Sequence, residues 1–190
     1  MSTEELTQPE LPSTPDVVDN PAENQTAAKE PAAASHSNYI IVGLDLGTNT
    51  SCIQAVDAAT GNEVCNTVVP TIVGYADRGI LAGILPDDSA ELFGTEALRN
   101  ELHLRISRPL KNGVIEDVDA ASKFVKHLRD IVDPAGKATI HAVVGIPSNA
   151  DEEAKENVQK AVTGIFDSAI LVPKPFLAAY GFRDESRLKD

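Results

Sequence analysis

The sequence has 190 residues, 42% apolar and 24% charged, and its 29 acidic residues against 16 basic ones give a formal net charge of -13. This composition is typical of a globular domain, and no apolar run has the roughly 18 residues that a transmembrane helix needs. An acidic chain without a Lys/Arg cluster attracts no phosphate backbone at long range, so we expect no nucleic-acid partner.

Residues 1–38 differ in composition from the rest of the chain. They contain seven acidic residues, one basic residue, five prolines and the run Ala32, Ala33, Ala34, but no aromatic residue. Such a segment cannot bury enough apolar surface to offset the entropy of ordering it. We therefore predict a disordered acidic Pro/Ala-rich tail, which acts either as a solubilising spacer or as a docking segment for an unidentified partner.

Periodic segments begin at Tyr39 and continue in an order typical of an α/β fold. An antiparallel start of three strands is predicted, followed by helices, two further strands and a last helix. Asp117 is a predicted N-cap, and Ser148 with Asp151 resembles a capping box. The predicted strands cover residues 39–46, 50–57, 64–75 (interrupted at Pro70), 138–147 and 169–172, and the helices cover residues 95–102, 118–132, 151–165 and 175–181.

The tight connection at residues 45–51, with sequence DLGTNTS, carries the clearest chemical signal. Gly47 permits a sharp turn, and the backbone N-H groups and hydroxyls that follow it can donate to an anion. Asp45 ends the strand, where a carboxylate can face a hydrated Mg2+. These features suit a phosphate chain with its metal, although an ordinary hairpin with a capping aspartate has the same pattern.

Other common sites are excluded by spacing. The chain has no GxxxxGK sequence and no GxGxxG after its first strand, so neither a P-loop nor a Rossmann dinucleotide site is supported. Cys52 and Cys65 are too few for a disulfide framework and lack metal-ligand spacing with the four histidines. We expect reduced thiols and a cytoplasmic location.

Five segments in order resemble the superfamily of actin, MreB and DnaK-type chaperones. Residues 42–52 resemble its first phosphate loop, and residues 69–75 and 93–99 resemble segments shared by MreB and the chaperones. Residues 108–117 (RPLKNGVIED) are similar to bacterial actins in particular. Residues 143–148 and 175–181 are similar to bacterial actins of the MreB and MamK type.

This resemblance implies a ribonuclease-H-like (actin-like ATPase) fold, of which residues 39–190 form the N-terminal lobe, with a mixed five-stranded sheet and flanking helices. It implies ATP and Mg2+ as ligands, and self-association into a head-to-tail filament that can associate peripherally with a membrane. Carried over by position, Gly47, Thr48, Asn49 and Thr50 would cradle the phosphates. Asp45 would face Mg2+ through water.

Two positions depart from the family pattern. Ala154 stands where MreB-like chains have a glutamate, and Glu153 and Glu156 are nearby candidates for its catalytic role. A shift of one or two residues on a helix turns a side chain by roughly 100° or 200°, so neither is an equivalent replacement. Lys174 stands where the family has a glutamate before proline, and it is either a phosphate ligand or a surface lysine.

The matching segments stop before the second phosphate loop and the second lobe of these proteins. We therefore expect an incomplete lobe, either a fragment or a natural truncation, that alone binds ATP weakly or not at all and is inactive as an ATPase. Two alternatives stay open. A DnaK-type chaperone ATPase lobe is favoured by residues 49–52 and disfavoured by residues 108–113, and a non-hydrolysing actin-like interaction module is favoured by Ala154 and Lys174.

Overall fold

The computed structural model describes residues 38–181. The predicted acidic tail, except for its last residue, lies outside the described residues. Ten strands are present in this range, namely β1 (Tyr39–Asp45), β2 (Thr50–Asp57), β3 (Glu63–Pro70), β4 (Val73–Ala76), β5 (Glu91–Phe93), β6 (Leu104–Ser107), β7 (Leu110–Lys111), β8 (Val114–Ile115), β9 (Thr139–Ile146) and β10 (Ser168–Pro173). The helices in it are α1 (Gly94–Arg99), α2 (Val118–Val132), α3 (Glu152–Val162) and α4 (Lys174–Gly181).

The main sheet has five strands in the order β10-β9-β1-β2-β3. Strands β10, β9 and β1 are parallel to one another, whereas β1, β2 and β3 pair antiparallel. The prediction of a mixed five-stranded sheet with flanking helices is therefore confirmed. Because the three parallel strands run in one direction, their carboxyl ends meet at one edge of the sheet.

One face of this sheet forms the larger core. Alternate residues of β1, Ile40, Val42 and Leu44, are buried on it, as the two-residue period of a strand requires. Helices α2 and α3 cover the face with apolar stripes that include Phe124 and Val158. Asp117 and Asp151 cap the two helices by accepting from the backbone N-H of the residue three positions on, at 2.9 and 2.8 Å.

The opposite face of the sheet is more exposed. Ile41, Val68 and Ile170 project from it with 44, 62 and 58% of their surface accessible. Helix α4 lies at the carboxyl edge of this face, where the side chain of Leu177 approaches Gly145. The edge that collects the strand ends is thus bordered by the first turn of α4.

A smaller three-stranded sheet, with order β5-β4-β6, follows the main sheet in the chain. Its core consists of five buried side chains, Ile72, Leu85, Leu92, Ala97 and Leu104. Gly74 leaves space for Leu104, because a Cβ atom at position 74 would lie 2.6 Å from Cδ1 of Leu104 and would force that side chain to move. The third strand was predicted over residues 64–75 with an interruption at Pro70, and β3 does end at Pro70. The prediction is wrong beyond that point, because β4 joins the second sheet.

Two predicted helices extend too far at their carboxyl ends, and the predicted cap of α3 also differs. The first helix ends at Arg99 and is followed by a 3-10 turn at Glu101–His103, so Leu102 lies outside the helix and is 87% exposed. Asp151, not Ser148, caps α3. Helix α3 ends at Val162, which leaves Ile165 in the following loop.

Candidate phosphate-binding site

The connection between β1 and β2 forms a braced turn at the carboxyl edge of the main sheet. The hydroxyl of Ser51, which is fully buried, accepts from the N-H of Gly47 at 3.4 Å and lies 2.9 Å from the Thr71 hydroxyl. The Thr71 N-H donates to the carbonyl of Asn49 at 2.9 Å. A Cβ atom at Gly47 would collide with the carbonyl oxygen of Thr50, so glycine is needed at this position.

A second turn reaches the same place from the β7-β8 hairpin. Its two central residues, Asn112 and Gly113, have φ values of 51° and 80°, which is the backbone shape that Asn-Gly favours in tight hairpins. The N-H of Gly113 donates to Oγ1 of Thr48 at 2.8 Å. The Thr48 hydroxyl therefore keeps its own hydrogen to donate to a ligand oxygen.

The first residue of α4 completes the site. Nζ of Lys174 lies 2.6 Å from Oδ1 of Asp45 and donates to the carbonyl oxygen of Leu46 at 3.0 Å. The side chain of Lys174 is 34% exposed and that of Asp45 is 60% exposed. Lys174 and Asp45, for which the sequence predicted separate contacts with phosphate and metal, are thus bonded to each other.

The arrangement around Asp45 does not fit a divalent cation. One carboxylate oxygen is already bonded to an ammonium group, and Mg2+ placed at this carboxylate would be repelled by that positive charge. Among residues 38–181, no group of three or more His, Cys, Asp or Glu side chains is arranged to hold a metal. Mg2+ at Asp45 stays a prediction from the resemblance, and no chemical step is assigned to it.

The two catalytic candidates on α3 lie in different surroundings. Glu156 is exposed and its Oε2 is 3.5 Å from Nζ of Lys160 one turn further on. Glu153 borders a cavity of about 340 Å3 that is also lined by Val114, next to the hairpin turn that contacts Thr48. Ala154 is buried. Glu153 is therefore the candidate on the side of the phosphate loop, and a catalytic role for either stays a prediction.

Comparison with known proteins identifies the family. The family model of MreB/Mbl proteins matches residues 39–183. The chain belongs to the MreB/Mbl family. Two curated relatives are the actin-like protein MamK of Paramagnetospirillum magneticum, 28% identical over 76% of this chain, and that of Magnetospirillum gryphiswaldense, 27% identical over 76%. The match covers 41% and 39% of these relatives, so this MreB/Mbl chain spans about two fifths of their length.

Solved structures give the same fold. A MamK double helical filament superposes with a TM-score of 0.64 at 26% identity, covering 76% of this chain and 43% of that one. A non-polymerising MamK mutant bound to AMPPNP gives a TM-score of 0.63 at 25% identity, covering 76% of this chain and 44% of that one. MreB5 of Spiroplasma citri bound to ADP gives a TM-score of 0.55 at 21% identity, covering 78% of this chain and 42% of that one. This match supports the actin-like fold alone. The predicted actin-like N-terminal lobe is thus confirmed as a fold.

Sequence reasoning missed part of this MreB/Mbl site. It predicted the loop at Gly47 to Thr50 and counted Ser51 among the hydroxyls at its tip, whereas Ser51 is buried and braces the turn. It gave no role to Thr71 or Gly113. The Asn-Gly pair at residues 112–113 is a strong hairpin signal and could have indicated the second turn. Nothing in the local sequence indicated that this turn contacts Thr48, because that contact depends on tertiary packing.

Proposed function

We propose that this chain is the N-terminal part of an ATP-binding, filament-forming bacterial actin-like protein of the cytoskeleton. The observation that carries the proposal is the convergence of three segments at one sheet edge: the Gly47 turn, the Gly113 turn bonded to Thr48, and Lys174. Open α/β sheets bind ligands outside the carboxyl ends of their parallel strands, which is where these segments meet.

The proposed ligand is ATP, held through its phosphates. Gly47, Thr48, Asn49 and Thr50 would supply backbone and hydroxyl donors, and the exposure of Asn49 and Thr50 leaves them open to a ligand. A related MamK mutant is bound to AMPPNP in its solved structure, which supports a nucleotide here. Because phosphoryl transfer depends mainly on positioning and charge, removing one such donor costs a few kcal/mol in comparable sites.

The proposed partner is a second copy of the same protein. A MamK relative forms a double helical filament, and head-to-tail self-association of this protein would make an actin-like filament. Among residues 38–181, no helix is long and apolar enough to cross a membrane. We place the filament in the cytoplasm, where it could lie peripherally on a membrane surface. The acidic tail is not assigned a partner.

The test uses the full chain. Binding of a fluorescent ATP analogue is titrated, and filaments are sought by sedimentation and negative-stain electron microscopy with AMPPNP. Gly47→Ala should abolish binding, because the added methyl group collides with the Thr50 carbonyl. Gly181→Ala is the matched control, since a Cβ at Gly181 meets no atom of residues 38–181 within 4 Å. Because the braced turn is formed within this chain, the proposal requires measurable binding by the full chain, even if it is weak. Absence of both binding and filaments would contradict it.

A second candidate function is the N-terminal lobe of a DnaK-type chaperone ATPase. It is favoured by a match to a chaperone HscA homolog of Chromobacterium violaceum, 25% identical over 76% of this chain and 24% of that protein. Stimulation of ATP turnover by a J-domain partner would support it over the filament.

A non-hydrolysing interaction module is favoured by the buried Ala154 and the Lys174-Asp45 pair. ATP turnover that is lost in Asp45→Ala would exclude that module.

A further inference from the structure

We propose that Lys174 is a built-in counter-cation of this site, so that the protein binds the polyphosphate of a nucleotide without a divalent metal. This inference rests on the proposed nucleotide binding and specifies the form of the ligand. It starts from the disagreement described above: the carboxylate expected to face Mg2+ is bonded to an ammonium group.

The donors of Lys174 support a direct contact with a ligand. An ammonium group has three N-H donors, and two of them are used by Oδ1 of Asp45 and the carbonyl of Leu46. The third is available to an oxygen from solution or from a ligand, because the side chain is 34% exposed. A phosphate oxygen at this position would form a charge-assisted hydrogen bond, which is stronger than a neutral one.

The position of the ammonium group is fixed before any ligand arrives. Cγ of Lys174 packs against Gly145 of β9, where an added Cβ would lie 3.3 Å from it. Leu46, whose carbonyl accepts from Nζ, is 4% exposed and belongs to the core of the main sheet. A lysine held at its stem and at two of its donors loses less freedom on binding than a mobile surface lysine. The alternative interpretation of Lys174, as a solvated surface residue, does not agree with these contacts.

The charge balance explains why a metal becomes dispensable. An unpaired Asp45 at the end of β1 would repel phosphate oxygens, and Mg2+ could offset that repulsion. Here the ammonium group of Lys174 neutralises the carboxylate at 2.6 Å and also presents a donor to the phosphates. Lys174 thus both neutralises Asp45 and donates to the phosphates, and a metal ion that binds Asp45 would have to displace the ammonium group of Lys174.

The experiment measures binding of a fluorescent ATP analogue to the full chain in excess MgCl2 and in excess EDTA. The variants are Lys174→Met, which keeps the length of the stem but removes the charge, and Lys137→Met as the matched control. Lys137 is exposed and precedes β9, so it lies at the opposite edge of the sheet from Asp45.

For the wild type and for Lys137→Met we expect affinities in EDTA and in MgCl2 that agree within about threefold, a difference of less than 1 kcal/mol. Lys174→Met should bind about tenfold or more weakly in EDTA and should recover when MgCl2 is added. Wild-type binding that is lost in EDTA would overturn the built-in cation while leaving nucleotide binding intact. No binding by any variant in either buffer would overturn both proposals.

A second measurement needs no nucleotide. Lys174→Glu leaves a second carboxylate next to Asp45, so Mg2+ alone should raise the melting temperature of this variant. The wild type should show no such rise, because its ammonium group occupies the position. A Mg2+-dependent rise in the wild type, equal to that of the variant, would contradict the proposal even if Lys174→Met failed to fold.

Discussion

At the scale of single residues, Asp133 shows how one buried carboxylate can join three elements. It is 7% exposed at the end of α2, and its Oδ2 accepts from the N-H of Ala138 at 2.7 Å, just before β9. The same oxygen lies 3.7 Å from Nη2 of Arg129, whose Nε donates to the carbonyl of Ile165 after α3. The sequence indicated only that a helix ends near Asp133, since these partners are brought together by packing.

Asp133→Ala should lower the free energy of unfolding by about 2 to 4 kcal/mol. The substitution leaves the N-H of Ala138 without its acceptor and removes a buried partner of Arg129. Urea denaturation followed by circular dichroism measures the loss. Lys126→Ala on the same helix is the control, because its pair with Asp130 is exposed and its loss should cost less than about 1 kcal/mol. Equal losses in the two variants would contradict this account.

At the scale of elements, the β7-β8 hairpin is too short to be stable by itself. Its strands have two residues each, and isolated hairpins are marginal even when longer. The bond from Gly113 N-H to Thr48 Oγ1 ties its turn to the loop after β1. This bond helps to position the turn relative to the candidate phosphate site, while Leu110 and Ile115 anchor the strands of the hairpin in the main core.

Thr48→Val should therefore loosen the hairpin turn. The change removes the acceptor but keeps the shape of the side chain, so the amide of Gly113 should exchange with solvent faster. The expected loss of stability is about 1 kcal/mol, the usual value of one hydrogen bond. Hydrogen exchange followed by NMR or mass spectrometry measures the first effect and urea denaturation the second.

Thr60→Val is the control for that measurement. The Thr60 hydroxyl donates to Oδ1 of Asp57 in an exposed turn at the far end of β2, so its loss should leave exchange at Gly113 unchanged. Slow exchange at Gly113 in Thr48→Val would show that the hairpin is positioned by other contacts.

The elements also show how far the sequence could be interpreted. Strands β1, β2 and β9 and helices α2 and α3 were predicted because they are long enough to display a period of two or of three to four residues. Strands β5 to β8 have only two to four residues each, too few for any period. Strands β5 and β6 are defined by pairing with β4, which is distant in the chain, whereas β7 and β8 pair with each other in a local hairpin. The phosphate loop was predicted because its chemistry is local. The bond between Lys174 and Asp45 was not, because it joins residues far apart in the chain.

At the scale of the whole molecule, helix α2 connects the main sheet with the smaller one. His127 on α2 stacks on Phe93 of β5 with ring centroids 4.8 Å apart, while Lys123 pairs with Glu91 of the same strand. Lys123 also lies 5.1 Å from the centre of the Tyr75 ring on β4. Burial lowers the pKa of His127 below its ordinary value of 6.5, and the nearby carboxylate of Asp130 opposes this shift.

This lowered pKa predicts a stability that depends on pH. The unfolded chain takes up a proton at His127 near pH 6.5, but the folded chain does so only at lower pH, so the free energy of unfolding falls as pH drops below 6.5. The loss of stability due to His127 is complete once the pH is below the pKa of this residue in the folded chain. His127→Phe keeps an aromatic ring against Phe93 but cannot titrate. Urea denaturation from pH 7.5 to pH 5 should give a flatter profile for this variant than for the wild type, and parallel profiles would show that His127 contributes nothing to the pH dependence.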